Sequence, residues 1–214
     1  MKTLLIAATH AELGSTIAHF SLDPQLPFQT HEKFDLLITG VGMTATAFAL
    51  GRFVSAEHSL LLNLGIAGAF NDAIPLGSLV RVDRDKFSEL GAEDEGTFLS
   101  LEQLGFGAAE FSTHNRRSYP MADQLPAAAG ITVNTVHGCA QSITQVLARE
   151  QRAEQLVESM EGAAVFYAAQ QLQIDCLQVR AISNKVERRN RETWQIGAAV
   201  RALNEWAIAF LSNS

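Results

Sequence analysis

Apolar residues fall along this chain in short blocks whose period switches between that of a strand and that of a helix. Residues 3–8 (Thr3-Leu4-Leu5-Ile6-Ala7-Ala8), 34–39, 59–64, 79–82 and 176–182 are apolar runs too short for helices and bounded by polar or turn residues, which predicts buried strands. Residues 131–136 alternate and read as a further strand, and 155–158 as a short one. Helical spacing marks 11–20, 44–56, 140–149, 161–171 and 192–211, the last with Trp194, Ile196, Val200, Leu203, Ile208 and Leu211 among its apolar positions. Two prolines make 23–27 a turn. Residues 83–118 are polar with weak periodicity and are expected to hold loops and a lid or crossover.

Strands that alternate with helices, several of them apolar on both faces, imply an α/β fold: a three-layer sandwich around a twisted mixed central sheet. No repeat, low-complexity tract or linker interrupts the pattern, so residues 1–214 are read as a single domain. Composition narrows the function. A net charge of −7 leaves no basic footprint for nucleic acid or an anionic membrane, but it does not exclude a small anionic substrate held by a few arginines. No run approaches the ~18 apolar residues of a membrane span, and the apolar N-terminal run is too short for a signal segment, so a cytoplasmic protein is expected. Cys139 and Cys176 form no Cys-x-x-Cys pair and no metal-ligand spacing, so free thiols, no metal and no cofactor are expected.

Five segments carry candidate chemistry. Gly40-Val41-Gly42-Met43-Thr44-Ala45 fits a dinucleotide fingerprint, but the next strand ends at Leu62-Asn63-Leu64 without the required acid, so its glycines signal only a close approach of backbone to something. Glu12 follows the first strand, where open α/β sheets bind ligands; Thr9-x-x-Glu12 also has capping-box spacing, and locally the cap is favoured. Glu161 opens a helix, where an acid suits the dipole and is also placed to accept from sugar hydroxyls. Arg180 lies in an apolar strand and needs a partner because it cannot deprotonate; Glu12 and Glu161 are the obvious acids, and Ser183-Asn184 follow at the sheet edge. The run Lys185-Val186-Glu187-Arg188-Arg189-Asn190-Arg191 is either a solvated face or the seat of a substrate carboxylate. His10, His114 and His137 show no partner at a recognisable spacing, and Cys139 beside His137 reads as a core or turn pair.

Taken in order, these positions resemble the nucleoside phosphorylase/nucleosidase superfamily. The markers are Glu12, the strand–Gly-x-Gly–helix at 36–50, a Gly-x-x-Gly turn at 63–68, Glu158-Ser159-Met160-Glu161-Gly162-Ala163-Ala164 and Val179-Arg180-Ala181-Ile182-Ser183-Asn184. Within it, Ile131-Thr132-Val133-Asn134-Thr135-Val136-His137-Gly138-Cys139, the asparagine at 184 where adenine-specific nucleosidases carry aspartate, and Trp194-Gln195-Ile196 with Ala202-Leu203-Asn204 resemble the futalosine hydrolase family. That resemblance implies a homodimer or higher homo-oligomer that splits the purine nucleoside futalosine into hypoxanthine and dehypoxanthine futalosine, a step towards menaquinone. It implies catalytic roles for Glu12, Glu161 and Asn184, and substrate contacts by Gly65, Ile66, Ala67, Met160, Arg180 and Ser183. Superfamily phosphorylases hold phosphate with an arginine and a hydroxyl in the Gly-rich turn; Asn63 and Ile66 stand there, which favours water as nucleophile. Asparagine at 184 offers N–H to a 6-oxopurine that an aspartate would repel. A methylthioadenosine/adenosylhomocysteine nucleosidase, a phosphorolytic purine enzyme and a silent nucleoside-binding protein are the alternatives.

Overall fold

The computed structural model describes residues 2–150 and 155–213. Its first apolar run forms β1 (Lys2–Ala7), which lies parallel between β3 (Phe34–Ile38) and β4 (His58–Ala69). The neighbours follow in the order β4, β11 (Asp175–Lys185), β5 (Leu79–Phe87), β9 (Ala127–Thr132) and β10 (Leu156–Ser159). β10 also pairs antiparallel with the far end of β4, so these five strands close into a ring, from which β1, β3 and the short β2 (Phe28–Thr30) extend. Parallel and antiparallel pairings coexist, which makes the mixed central sheet that the alternating pattern implied.

Alternation along the strands distributes the two apolar layers. Leu5, Leu36, Leu62, Leu177 and Val179 face α7 (Ile196–Ser212), whose Leu203, Trp206, Ala207, Phe210 and Leu211 share their cluster. Leu4, Ile6, Leu61 and Val82 point the other way, towards α2 (Met43–Phe53) and α6 (Gly162–Leu172) through Ala49, Leu50, Val165, Phe166 and Ala169. A fully buried leucine of this kind contributes roughly 1.5–3 kcal/mol.

Several expectations need correction. The Gly-x-x-Gly segment is not a turn: β4 continues through it to Ala69 and pairs with β11 along the way. Residues 83–118 are not mainly loop; they contain the second half of β5, the hairpin of β6 (Gly91–Asp94) and β7 (Thr97–Ser100), α3 (Leu101–Leu104) and β8 (Glu110–Ser112). β9 starts four residues before the expected strand, because its alanine-rich beginning, suited to helix by propensity, is buried between two neighbours. The helix expected over 11–20 is a 3-10 turn (His10–Leu13) followed by α1 (Gly14–His19), and that expected over 192–211 begins at Ile196, after a separate 3-10 turn at Arg191–Thr193.

One polar side chain ties the front of the chain to α7. Asn204 is 1% exposed; its Oδ1 accepts from Thr16 N and Oγ1, both at 2.8 Å, and its Nδ2 donates to Glu12 O at 2.8 Å. Replacing Asn204 by leucine strands buried backbone groups, each costing ~1–3 kcal/mol. The Asn204→Leu protein is expected to unfold at lower denaturant with an unchanged m-value; an unaltered midpoint would show the bridge to be dispensable.

Candidate active site

A cavity of about 460 Å³ opens beyond the carboxyl end of β1, and Glu12, Ile66, Ala67, Met160, Glu161, Ser183 and Asn184 all line it. Of the nine residues singled out for a site, Gly65 and Arg180 do not line it; they lie behind its wall. A Cβ on Gly65 would overlap Arg180 Nη1, so this glycine exists to admit the guanidinium.

Glu12 both caps and faces the cavity. Its Oε2 accepts from Thr9 N and Oγ1 at 3.0 Å each, while Oε1 accepts from Ile66 N at 3.2 Å. Burial pushes its carboxyl above the usual range, and the charge of Arg180 opposes this. The two readings of Glu12 are therefore compatible: the cap locks one oxygen and aims the other. Glu161 precedes α6 and accepts at Oε1 from Gly42 N, 2.9 Å away. Gly40 and Gly42 have φ of 84° and 96°, which suits glycine and lets the loop bring that N–H to the carboxylate. This is what the Gly-x-Gly signal marks.

A register shift on β11 between Ile182 and Asn184 presents both Ser183 and Asn184 to the cavity, although successive residues of a regular strand face opposite ways. Ser183 Oγ donates to Asn184 Oδ1 at 2.8 Å, which fixes the amide; Nδ2 donates one hydrogen to Lys185 O at 2.9 Å and keeps the other.

Arg180 is not in hydrogen-bonded contact with Glu12 or Glu161, as had been expected of it. It is 1% exposed and donates from Nε to Gln178 Oε1 at 2.9 Å; Gln178 Nε2 donates to Asp85 Oδ2 at 3.0 Å, and Thr132 Oγ1 to Asp85 Oδ1 at 2.9 Å. The same threonine accepts from Ala163 N at 2.7 Å, which joins this buried chain to the first turn of α6, beside Glu161. Asp85 went unnoticed in the sequence, where it falls in the polar stretch that follows the strand expected over 79–82. A register shift between Val82 and Arg84 reverses the parity and turns Asp85 inward. His137, read as partnerless, is bonded to Glu158, and both line the cavity. Of the run 185–191, Lys185, Glu187 and Arg189 line the cavity. Lys185 is occupied by Asn71 O, Ile74 O and Asp72, whereas Arg189 lies 5.4 Å over the Trp194 ring.

Burial raises the Asp85 carboxyl from 3.8 to about 6, a difference worth roughly 3 kcal/mol. The folded protein then holds a proton that the unfolded chain has already released, so stability drops as pH rises from below 4 to above 6. Asp85→Asn is expected to lack this slope. Urea unfolding at a series of pH values measures it, and parallel curves for the two proteins would remove the assignment.

Residues 36–212 match the family model described as Phosphorylase superfamily. The chain is 35% identical to a futalosine hydrolase of Streptomyces coelicolor over 81% of this chain and 77% of that one. It is 34% identical to that of Acidothermus cellulolyticus over 99% and 90%. Among solved structures, the native futalosine hydrolase of Helicobacter pylori superposes with a TM-score of 0.79 at 12% identity, covering 100% of this chain and 98% of that one. The Streptococcus pneumoniae MTA/SAH nucleosidase in complex with 8-aminoadenine does so at 0.77 and 21%, covering 99% of each. With the model spanning most of its length and such relatives along nearly all of it, the chain belongs to the phosphorylase superfamily, alongside the futalosine hydrolases.

Proposed function

We infer that this protein is a hydrolase of N-glycosyl bonds that acts on futalosine, releasing hypoxanthine and dehypoxanthine futalosine in a route to menaquinone. The observation that carries the reading is one cavity lined by the buried carboxylates of Glu12 and Glu161 together with an amide, Asn184, whose orientation is fixed.

In the proposed mechanism the C1′–N9 bond breaks through an oxocarbenium-like state. Glu161, with Oε1 held by Gly42 N, accepts from the ribose hydroxyls and offsets positive charge on the sugar. Glu12 takes a proton from the attacking water, whose oxygen bonds to C1′. The free N–H of Asn184 stabilises the departing hypoxanthine anion, which is then protonated from solvent. Met160 packs on the sugar, and Ile66 and Ala67 close the wall. Arg180, beneath the wall, favours the ionised form of Glu12. Ile66 brings neither charge nor hydroxyl to the cavity, which supports water over phosphate as nucleophile. At the basic end, Trp194 offers a face to an aryl group and Arg189 a cation to its carboxylate. A second copy of the chain suits the outer faces of α2 and α6, where Phe48 and Tyr167 are 72% and 46% exposed. No helix among the described residues is long and apolar enough to cross a membrane, and we place the enzyme in the cytoplasm.

Purified protein is expected to release hypoxanthine from futalosine at a rate indifferent to phosphate, and little adenine from methylthioadenosine; adenine release would move the reading to the adenine-specific nucleosidases. Glu12→Gln is expected to lower kcat by ~10²–10⁴-fold. Because the base must be ionised and its carboxyl is raised, the acid limb of kcat/KM should lie above the ordinary glutamate range. Glu161→Gln should fold normally and lose most turnover; near-normal turnover would sink its ribose role. Arg189→Ala should raise KM for futalosine but not for an analogue without the carboxylate; equal effects on both would return the basic run to solvent.

A further inference from the structure

The pair His137–Glu158 is used by none of the steps above, yet it forms part of the cavity wall. Glu158, 4% exposed on β10, accepts from His137 N at 2.9 Å with Oε1 and bonds the ring Nδ1 with Oε2. One carboxylate thus grips both the backbone and the ring of a single residue. An ionised carboxylate only accepts, so Nδ1 carries the hydrogen, and the neutral form of the ring then leaves Nε2 as an acceptor facing outward. The His137 side chain is nine-tenths buried, and its Nε2 has no protein partner among the described residues.

Strand register puts this pair opposite Asn184. Gly68 pairs with Asn184 on one side and with Glu158 on the other, so the two side chains flank a single glycine, their backbones roughly 10 Å apart across three strands. A Cβ on Gly68 would meet Val186 Cγ2 at 2.8 Å and Asn184 Nδ2 at 3.1 Å, so the glycine lets these side chains pack over the strand while His137, Glu158 and Asn184 all line the cavity. Asn184 presents a donor and His137 an acceptor. The 6-oxopurine edge offers the complement, O6 and N7 as acceptors and N1–H as donor, whereas adenine has an accepting N1.

Resting on the futalosine reading, we propose that His137 is a specificity-determining residue whose Nε2 accepts from purine N1–H, and that Glu158 is the positioning residue that sets its tautomer. Together they select hypoxanthine over adenine at N1, while Asn184 reads the O6/N7 side.

Calorimetric titration of the purified protein with hypoxanthine and with adenine tests this without relying on turnover. His137→Phe keeps ring volume and removes the acceptor; hypoxanthine binding should weaken about 10-fold while adenine binding changes less than about 2-fold. Glu158→Gln can keep the bond from His137 N through its carbonyl while its NH2 donates to Nδ1, which moves the ring hydrogen to Nε2. That variant should bind hypoxanthine more weakly and adenine as well as or better than the parent. Equal losses for both bases in both variants, unchanged hypoxanthine binding, or a parent protein that binds neither base would overturn the proposal. Failure of the parent to hydrolyse futalosine, with these base preferences intact, would instead overturn the substrate reading.

Discussion

A guanidinium without access to water constrains this structure more than any other group. Arg180 cannot shed its charge, and at 1% exposure it has no solvent to spread it into. Its surroundings answer that demand in part, since Nε is bonded while Nη2 is buried without a hydrogen-bond partner among the described residues. Gln178 turns its carbonyl to Nε, Asp85 accepts the Gln178 amide, and Thr132 completes Asp85. Glycines stand wherever a side chain would collide: Gly65 against the guanidinium, Gly130 and Gly162 against Asp85. A chain of polar groups from β11 through β5 and β9 to α6 thereby fixes the backbone on which Glu161 is presented, while the same positive charge acts on Glu12. The cavity is thus polar on both sides of its wall, with one layer facing substrate and another buried to hold the first in place.

Two register shifts beside the site explain how adjacent residues come to serve different layers. On β5 the shift beyond Val82 turns an acid into the core; on β11 the shift beyond Ile182 turns a serine and an asparagine together to the cavity. A bulge is a one-residue change of parity, so its chemical effect is large for a small disturbance of pairing.

This also sets what could be read from residue order. The central strands were legible because their apolar runs are short and uninterrupted, and Glu12, Glu161 and Asn184 stood out as candidates for the cavity they line because each lies near the end of an apolar run. Parity reversals leave no trace in composition, so nothing in the residue order marked Asp85 as buried. Gly65 to Gly68 looked like a turn because glycine is common in turns; the glycines instead serve close approach within a strand. The alanines of β9 favour helix locally and are overruled by burial between two neighbours. His137 and Glu158 lie 21 positions apart, on segments whose meeting only strand register reveals.

The Asn204 bridge has a consequence for the order in which the molecule comes into being. Its bonds to Thr16 and Glu12 span 188 and 192 positions, among the longest separations a chain of this size allows. Contacts of such range form late, after the cost of closing the loop between them has been met. During synthesis the amino-terminal segment emerges first and must wait, its Glu12 carbonyl still hydrated, until the helix bearing residue 204 has left the ribosome. Onset of catalysis would then coincide with docking of that helix, so that turnover in a nascent or refolding sample reports the final closure of the chain rather than the assembly of its sheet.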